Sequence, residues 1–588
     1  MAKFDPNNLK FGPRIKRKTV LAAYMELVAN GKGLLSYKNV RQHGGKRGES
    51  LYTHVLNGIM LLDALRELLA LTELETRLLF TVFIMHDINK DPDFSGKRYS
   101  QIAIPDNFTE LAQKLKLDEF FPDYAVYLSE ITQIAAQHGR HSGGVSIMAR
   151  PNKLPTEHVA ELLALIRAVD TLDLSHTLDE RSHKATFLSE LNSIIPDRQY
   201  TFFLHRLTEN RGSLSNLMHE AIVTVLKGQG AVPLLYYPDG VAYLVRQDDV
   251  PAVGKILKRK MARQTAVFVN ELTGQEFSGF IKSGIQGIKV DPKCLELGLP
   301  FSKLWNVMYG RVQTRSLNRD DLLPKIQNRT ERTFEKNAAT DPEAAQVVRA
   351  RLDNPETLLP ASADRLRDGE LIRTYYIFLN THFKDDIPDA WAHIYDLLDI
   401  PAETRNWLAF FDARWDRPYV LMTELSLGHE AINERIEEDG SQWVNSRETA
   451  DDKEQLFAEY LDRYALFGLM GQLQPPANRQ FGDHLQEYVQ NQHKQCVHCS
   501  AIFPTDKWMT NDVRSDITVQ TFSNRLRGGP GEPKKYICRL CQLQFLVERL
   551  NYEEVRGEKT MYLHLFPYSF LPAPYLTALR DEVDEIRR

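Results

Sequence analysis

His86-Asp87 closes an apolar run, Leu78-Leu-Phe-Thr-Val-Phe-Ile-Met85, and is followed by Ile88-Asn89-Lys90. An imidazole and a carboxylate on adjacent residues at a helix end can grip one divalent cation together. Further donors lie on either side, with His54 before the pair and His138, His141 and Asp170 after it. Mixed imidazole and carboxylate donors suit Mn²⁺, Ni²⁺, Co²⁺, Fe²⁺ or Zn²⁺ better than the all-oxygen shell of Mg²⁺, which stays possible. Such an ion would lower the pKa of a water and neutralise charge on a phosphoryl group, the two needs of phosphoester hydrolysis. His54, His86, Asp87 and Asp170 would form one site, each from a different helix or helix end. His138 and His141 would hold a second ion or orient the scissile phosphate, and Lys90, one turn beyond Asp87, would reach a phosphate oxygen. Asp173 competes with Asp170 for its ligand position.

Each residue has a blander alternative. A lone histidine on a helix is more often a satisfied core or surface residue, and His176 is read that way; His43 is too, less firmly, because it sits in a basic stretch. A His-Asp dipeptide also arises by chance. The joint pattern is far more specific: His54 on an amphipathic helix, His-Asp-x-x-Lys, His-Gly-x-His, then Ala168-Val-Asp170.

Helices must position these donors. Residues 51–72 carry Leu51, Val55, Ile59, Leu62, Leu65 and Leu69 at helical spacing. Residues 15–30, 74–87, 109–116, 123–138 and 156–175 read the same way, so the block to about residue 200 is all-α and holds every proposed ligand. After a helix near 214–228 the period changes. Val232-Pro-Leu-Leu-Tyr-Tyr237 and Val241-Ala-Tyr-Leu-Val-Arg246 are β-rich runs joined by Pro238-Asp239-Gly240, and Asp-Gly suits a hairpin turn with positive φ. A helix with the basic run Lys255-Ile-Leu-Lys-Arg-Lys-Met-Ala-Arg263 follows. Residues 315–370 are polar and rich in turn formers, with Asn337-Ala-Ala-Thr-Asp-Pro342 as a linker. Helical patterning returns from 368 to 472, with breaks expected at Asp416-Arg-Pro418 and Glu438-Asp-Gly440 and a boundary at Gln472-Leu-Gln-Pro-Pro-Ala-Asn478.

Four of five cysteines fall into two pairs, Cys496-Val-His-Cys499 and Cys538-Arg-Leu-Cys541. Two Cys-x-x-Cys pairs offer four soft thiolates, which suit tetrahedral Zn²⁺ in a closed structural site. The redox alternative needs a thioredoxin-like βαβ context, which is absent. His493 and His498 are spare donors that four thiolates leave no vacancy for, and Cys294 reads as a small buried hydrophobe. The loop between the pairs carries Arg525, Arg527, Lys534 and Lys535, which the zinc module would present to nucleic acid if it is more than architectural.

At 588 residues the chain exceeds one hydrophobic core. We expect an α+β, predominantly α protein divided at 1–205, 206–315, 316–475 and 476–588. Its apolar stretches are too short to span a bilayer, and Met-Ala-Lys-Phe-Asp-Pro at the start lacks a signal core, so no membrane partner and a cytoplasmic location are expected. Net charge is only −5 and announces no nucleic-acid partner. The N-terminal stretch, with Arg14-Ile-Lys-Arg-Lys18 and the basic residues from Arg41 to Arg47, would nonetheless favour a polyanion.

The order His … His-Asp … His … Asp on helices is the signature of HD-type metal phosphohydrolases. Followed by a palm-like hairpin and a four-cysteine finger, it resembles one family more closely: the large HD-nuclease subunit of type I-D CRISPR–Cas interference complexes, related to the polymerase-like large subunit of type III systems. The residues that carry the resemblance are Ser50-Leu-Tyr-Thr-His54-Val-Leu-Asn57-Gly58, His86-Asp87-Ile-Asn-Lys90, Leu234-Leu-Tyr-Tyr-Pro-Asp-Gly-Val-Ala-Tyr-Leu244, the cysteine quartet and Tyr562-Leu-His-Leu-Phe-Pro567. The HD and cysteine motifs are specific as types, the palm segment less so.

The resemblance implies an HD nuclease domain to 205, a degenerate palm-like domain over 206–315, a helical and linker region to 475, and a zinc finger with the start of a further domain beyond. It implies a metal-dependent DNA endo- or exonuclease in a guide-RNA complex, with His54, His86, Asp87, His138 and Asp170 at the family's HD positions. Target DNA, guide RNA and backbone subunits would be its partners, and a separate helicase would unwind the DNA. Two departures matter. No Gly-Gly-Asp-Asp occurs, and Tyr237-Pro-Asp-Gly240 stands where a cyclase palm carries its acids, so cyclic-oligonucleotide synthesis is not expected. The sequence also stops soon after the finger, where family members generally continue into a second palm and a C-terminal helical region. Two alternatives stand beside the nuclease. An HD nucleotide phosphohydrolase would need a closed pocket and has no use for a finger, and a DNA-binding scaffold with a vestigial site would have lost a ligand.

Overall fold

The computed structural model describes residues 19–42, 48–139 apart from 96 and 98, 151–273, 280–296, 299–446, 450–473 and, beyond these, chiefly 496–499, 505–507 and 536–551. Most are helical, with one four-stranded antiparallel sheet and two small ribbons, an α+β architecture that is predominantly α.

Two helices form the middle of the front block. Leu51–Arg66 starts at Ser50, whose hydroxyl accepts from the Thr53 amide at 3.1 Å, and buries the predicted stripe Leu51, Val55, Ile59, Leu62 and Leu65. Glu73–Met85 begins in a capping box between Thr72 and Glu75 and buries the whole run Leu78–Met85. That run is continuous because the helix passes through the centre of the block. The two helices cross closely at Gly58, where a Cβ would fall 1.9 Å from the Phe83 ring. Only glycine admits this approach.

The sheet is built from β1 (Tyr200–Leu207), β2 (Val232–Tyr237), β3 (Gly240–Arg246) and β6 (Ala465–Leu469); β4 (Ile281–Gly284) and β5 (Gly287–Val290) pair as a separate ribbon. The strand order in the sheet is β2-β3-β1-β6. Helices Ser213–Lys227 and Lys255–Thr273 follow β1 and β3, giving a β-α-β-β-α-β unit whose last strand arrives after a long insertion. Both faces are covered. Phe202, Leu204, Ala242 and Leu244 join the core of the front block, while Phe203, Leu207, Val241, Tyr243 and Val245 join the core of the two helices and the insertion. Strand alternation therefore ties two cores to one sheet. Strand β1 straddles the expected boundary at 205, and β6 comes from the stretch expected to be helix and linker.

Three local expectations change. Gly240 is not among the positive-φ glycines; it is required because the His205 carbonyl lies 2.1 Å from where a Cβ would stand. Residues 315–370 form helices Arg319–Ala338, Pro342–Asp353 and the start of Ala363–His382, with Asn337–Pro342 reduced to a tight break capped by Asp341. No break occurs at Glu438–Gly440, which lies inside helix His429–Ser446. Gly440 serves there to seat the Phe301 ring, which lies 2.2 Å from where a Cβ would stand.

Candidate metal centre

His54 sits one turn into helix Leu51–Arg66, while His86 and His138 cap the C-terminal ends of helices Glu73–Met85 and Leu128–Gln137. Asp170 lies in the last turn of helix Thr156–Leu172. These four elements bring five expected residues together. His54, His86 and Asp170 each place one donor atom within 4.8 Å of the others, as do His86, Asp87 and His138. His86 belongs to both sets.

The donor spacing fits a coordination shell. His54 Nε2 is 3.1 Å from His86 Nε2, 3.4 Å from Asp87 Oδ2 and 3.6 Å from Asp170 Oδ1. His86 Nε2 is 3.6 Å from each of the same two carboxylate oxygens. Ligands at about 2.1 Å from one ion stand roughly 3.0–3.4 Å apart in octahedral or tetrahedral shells, and the three wider separations exceed that by only a few tenths of an ångström. Two ionised carboxylates would also balance a divalent charge.

The far side of each imidazole is fixed. His86 Nδ1 donates to the Phe83 carbonyl at 2.5 Å and His138 Nδ1 to the Ala135 carbonyl at 2.6 Å. A carbonyl oxygen can only accept, so Nδ1 keeps a proton and Nε2 is the atom that can ligate once it is deprotonated. His54 Nδ1 meets the Asp173 carboxylate at 2.7 Å, and Asn57 Nδ2 donates to the other Asp173 oxygen at 2.9 Å. Asp173 is fully buried and stands behind His54, whereas Asp170 faces the donors. The spacing of the two acids, three apart on one helix, could not separate these roles.

Electrostatics match the packing. Burial pushes the Asp87 carboxyl up, but His86, His54 and Lys90 together hold it well below the usual carboxylate range. Burial pulls His86 down, yet Asp87 and Asp170 outweigh it and leave the imidazole above its ordinary value. Burial, reinforced by His86, lowers His138. Lys90 donates to Asp87 Oδ2 at 2.5 Å and to Gln42 Oε1 at 2.7 Å, and so braces a candidate ligand. Gln42, Asn57 and Asp173 are the partners that motif reading did not assign. His141 and His43 lie outside the described residues, and His176 approaches Glu49 at 3.6 Å.

The cysteines form a second cluster. Cys538 ends strand β8 (Tyr536–Cys538), which pairs with β7 (Thr505–Lys507), and Cys541 lies in the first turn of helix Arg539–Asn551. All four sulfurs lie within 4.8 Å of one another, with Cys499 and Cys538 3.7 Å apart. Thiolates at about 2.3 Å from a tetrahedral Zn²⁺ would stand roughly 3.8 Å apart. No disulfide joins them. His498 turns its ring to Phe545, and Cys294 is a buried member of the core as expected. His493, Arg525, Arg527, Lys534, Lys535 and the Tyr562–Pro567 segment lie outside the described residues. Among the described residues no helix is long and apolar enough to cross a membrane.

No protein-family model matches the sequence, and no curated protein matches it. Among solved structures it is similar to the crystal structure of the type I-D CRISPR-Cas nuclease Cas10d in complex with the SIRV3 AcrID1 (gp02) anti-CRISPR protein, at 13% identity and a TM-score of 0.33. That likeness covers 85% of this chain and 52% of the other, so the chain spans about half the length of the protein it matches. At this level of likeness, the chemistry of the site rests on its own geometry.

Proposed function

We propose that the chain is a metal-dependent phosphodiesterase of the HD type, acting as a deoxyribonuclease on single-stranded or unwound DNA. The observation that carries the reading is the set of imidazoles whose Nδ1 protons are committed to acceptors behind them, beside two carboxylates at ligand spacing. His54, His86, Asp87 and Asp170 would hold the ion, with His138 beside them for a second ion or the scissile phosphate, and Mn²⁺, Ni²⁺, Co²⁺ or Fe²⁺ fit the donor set. When bound, the ion would activate water and draw charge from the phosphoryl oxygens. Lys90 keeps Asp87 ionised and aimed, and Asp173 orients His54. The Asp170 side chain is 34% exposed, which leaves one flank open to a polymer.

The motif resemblance supports placing this activity in an RNA-guided CRISPR interference complex, with target DNA, guide RNA, backbone subunits and a separate helicase as partners. Within it the cysteine quartet would hold a structural zinc. His86→Ala with Asp87→Ala is expected to abolish Mn²⁺-dependent cleavage of single-stranded DNA with the fold intact by circular dichroism. Cleavage retained by the purified double variant refutes the assignment. Faster hydrolysis of free dNTPs than of single-stranded DNA by the unaltered chain would favour the nucleotide phosphohydrolase.

A further inference from the structure

Arg211 is only 3% exposed, yet it carries a full charge. It lies in the loop between β1 and helix Ser213–Lys227, where its amide donates to Ser215 Oγ at 2.7 Å. Its guanidinium runs under the finger: Nη1 donates to Cys541 Sγ at 2.9 Å, Nε pairs with Glu209, and the group lies 5.7 Å from the Tyr460 ring centre. Next to it, Gly212 adopts φ +56, and a Cβ there would meet Glu548 Oε1 at 2.9 Å, so helix Arg539–Asn551 sits tightly on this loop.

A buried guanidinium needs nearby negative charge and strong acceptors. Glu209 supplies one unit. A neutral thiol is a weak acceptor and adds no charge, whereas four thiolates around a divalent ion carry a net charge of −2. We propose that Arg211 is the outer-sphere cation of the cysteine metal centre. It makes the first loop of the sheet domain part of the finger, and it slows loss of the ion. The inference rests on reading the cysteines as a metal site, and it is independent of the phosphodiesterase reading.

The test uses the full chain loaded with Co²⁺. Thiolate-to-cobalt charge-transfer absorption reports the cysteine site alone, because imidazoles and carboxylates give no such band. Release into a chelator is then followed for the unaltered chain, Arg211→Met, Arg211→Lys and Arg206→Met. Arg206 is a comparably buried arginine whose ion-pair partners are Asp179 and Asp239. Removing an outer-sphere partner typically costs about 10–100-fold in metal affinity, so Arg211→Met should release the ion at least about tenfold faster. Arg211→Lys keeps the charge without the fork and should fall between, while Arg206→Met should match the unaltered chain. If Arg211→Met does not fold, Arg211→Lys decides. Release from the folded Arg211 variants at the unaltered rate overturns the proposal. A missing band in the unaltered chain would instead overturn the metal reading of the cysteines.

Discussion

The two donor clusters differ in how they face water. The cysteine quartet is closed: Cys496, Cys538 and Cys541 are buried, and a strand end, a helix start and a buried arginine surround the sulfurs. The imidazole–carboxylate cluster has equally buried histidines in His54 and His86, but it opens at Asp170 and Lys90, about a third and a quarter exposed. Structural metal sites use all their positions on protein ligands, and catalytic ones keep one for water or substrate. The quartet is arranged as a closed site and the imidazole–carboxylate cluster as an open one, so on the proposed reading removing a ligand should have opposite consequences in each.

The largest difference should come from Cys538→Ser with Cys541→Ser. Zinc binding is coupled to folding by on the order of 10 kcal/mol in small finger domains, so part of that should appear as a lower melting temperature. Turnover per folded molecule should hold. Equal melting temperatures with and without the cysteines would count against a structural ion. At the open site, Asp173→Ala should weaken Mn²⁺ binding by about 10–100-fold in calorimetry. Asp173→Asn should recover most of it, since an amide oxygen still accepts from His54. Identical affinities for the two variants would remove Asp173 from the account.

A pH series sharpens the same contrast. In the ion-free protein His86 is held above its ordinary value, so its charged form stabilises the fold below the usual imidazole range, and this is lost as pH rises through the raised value. Ion binding requires that proton to leave. Asp87, held well below the carboxylate range, stays ionised throughout. The rise in melting temperature on adding Mn²⁺ should therefore be small near about pH 6 and grow towards about pH 8. A rise independent of pH would mean the ion binds elsewhere. The smallest effect should come from Lys90→Met, which loosens one ligand: kcat/KM should fall about tenfold, the scale of one charge-assisted hydrogen bond. An unchanged kcat/KM would make the Lys90–Asp87 contact incidental.

Much of the site was legible because its donors are chemically distinctive and lie at the ends of strongly patterned helices. His54, His86, Asp87, His138 and Asp170 could be read as one set from type and order, and the cysteine pairs from spacing. The supporting partners were not. Asp173 and Asp170 look alike in sequence, and only packing decides which faces the donors and which stands behind His54. Gln42 and Asn57 carry no metal-ligand signal at all. In the fold, the β2–β3 hairpin announced itself locally, but β1 pairs with β6 across more than 250 positions of chain, and no local pattern encodes that. Gly440 reads as a helix break, and Gly58 only as part of a motif, until the rings of Phe301 and Phe83 are seen against them.

Diffraction from Mn²⁺-soaked crystals of the full chain, collected at the manganese absorption edge, locates the ion. An anomalous peak is expected within about 2.0–2.3 Å of Nε2 of His54 and His86 and of an oxygen of Asp87 and Asp170. A chain that takes up Mn²⁺ elsewhere, with no peak between those four side chains, would contradict the proposed metal centre.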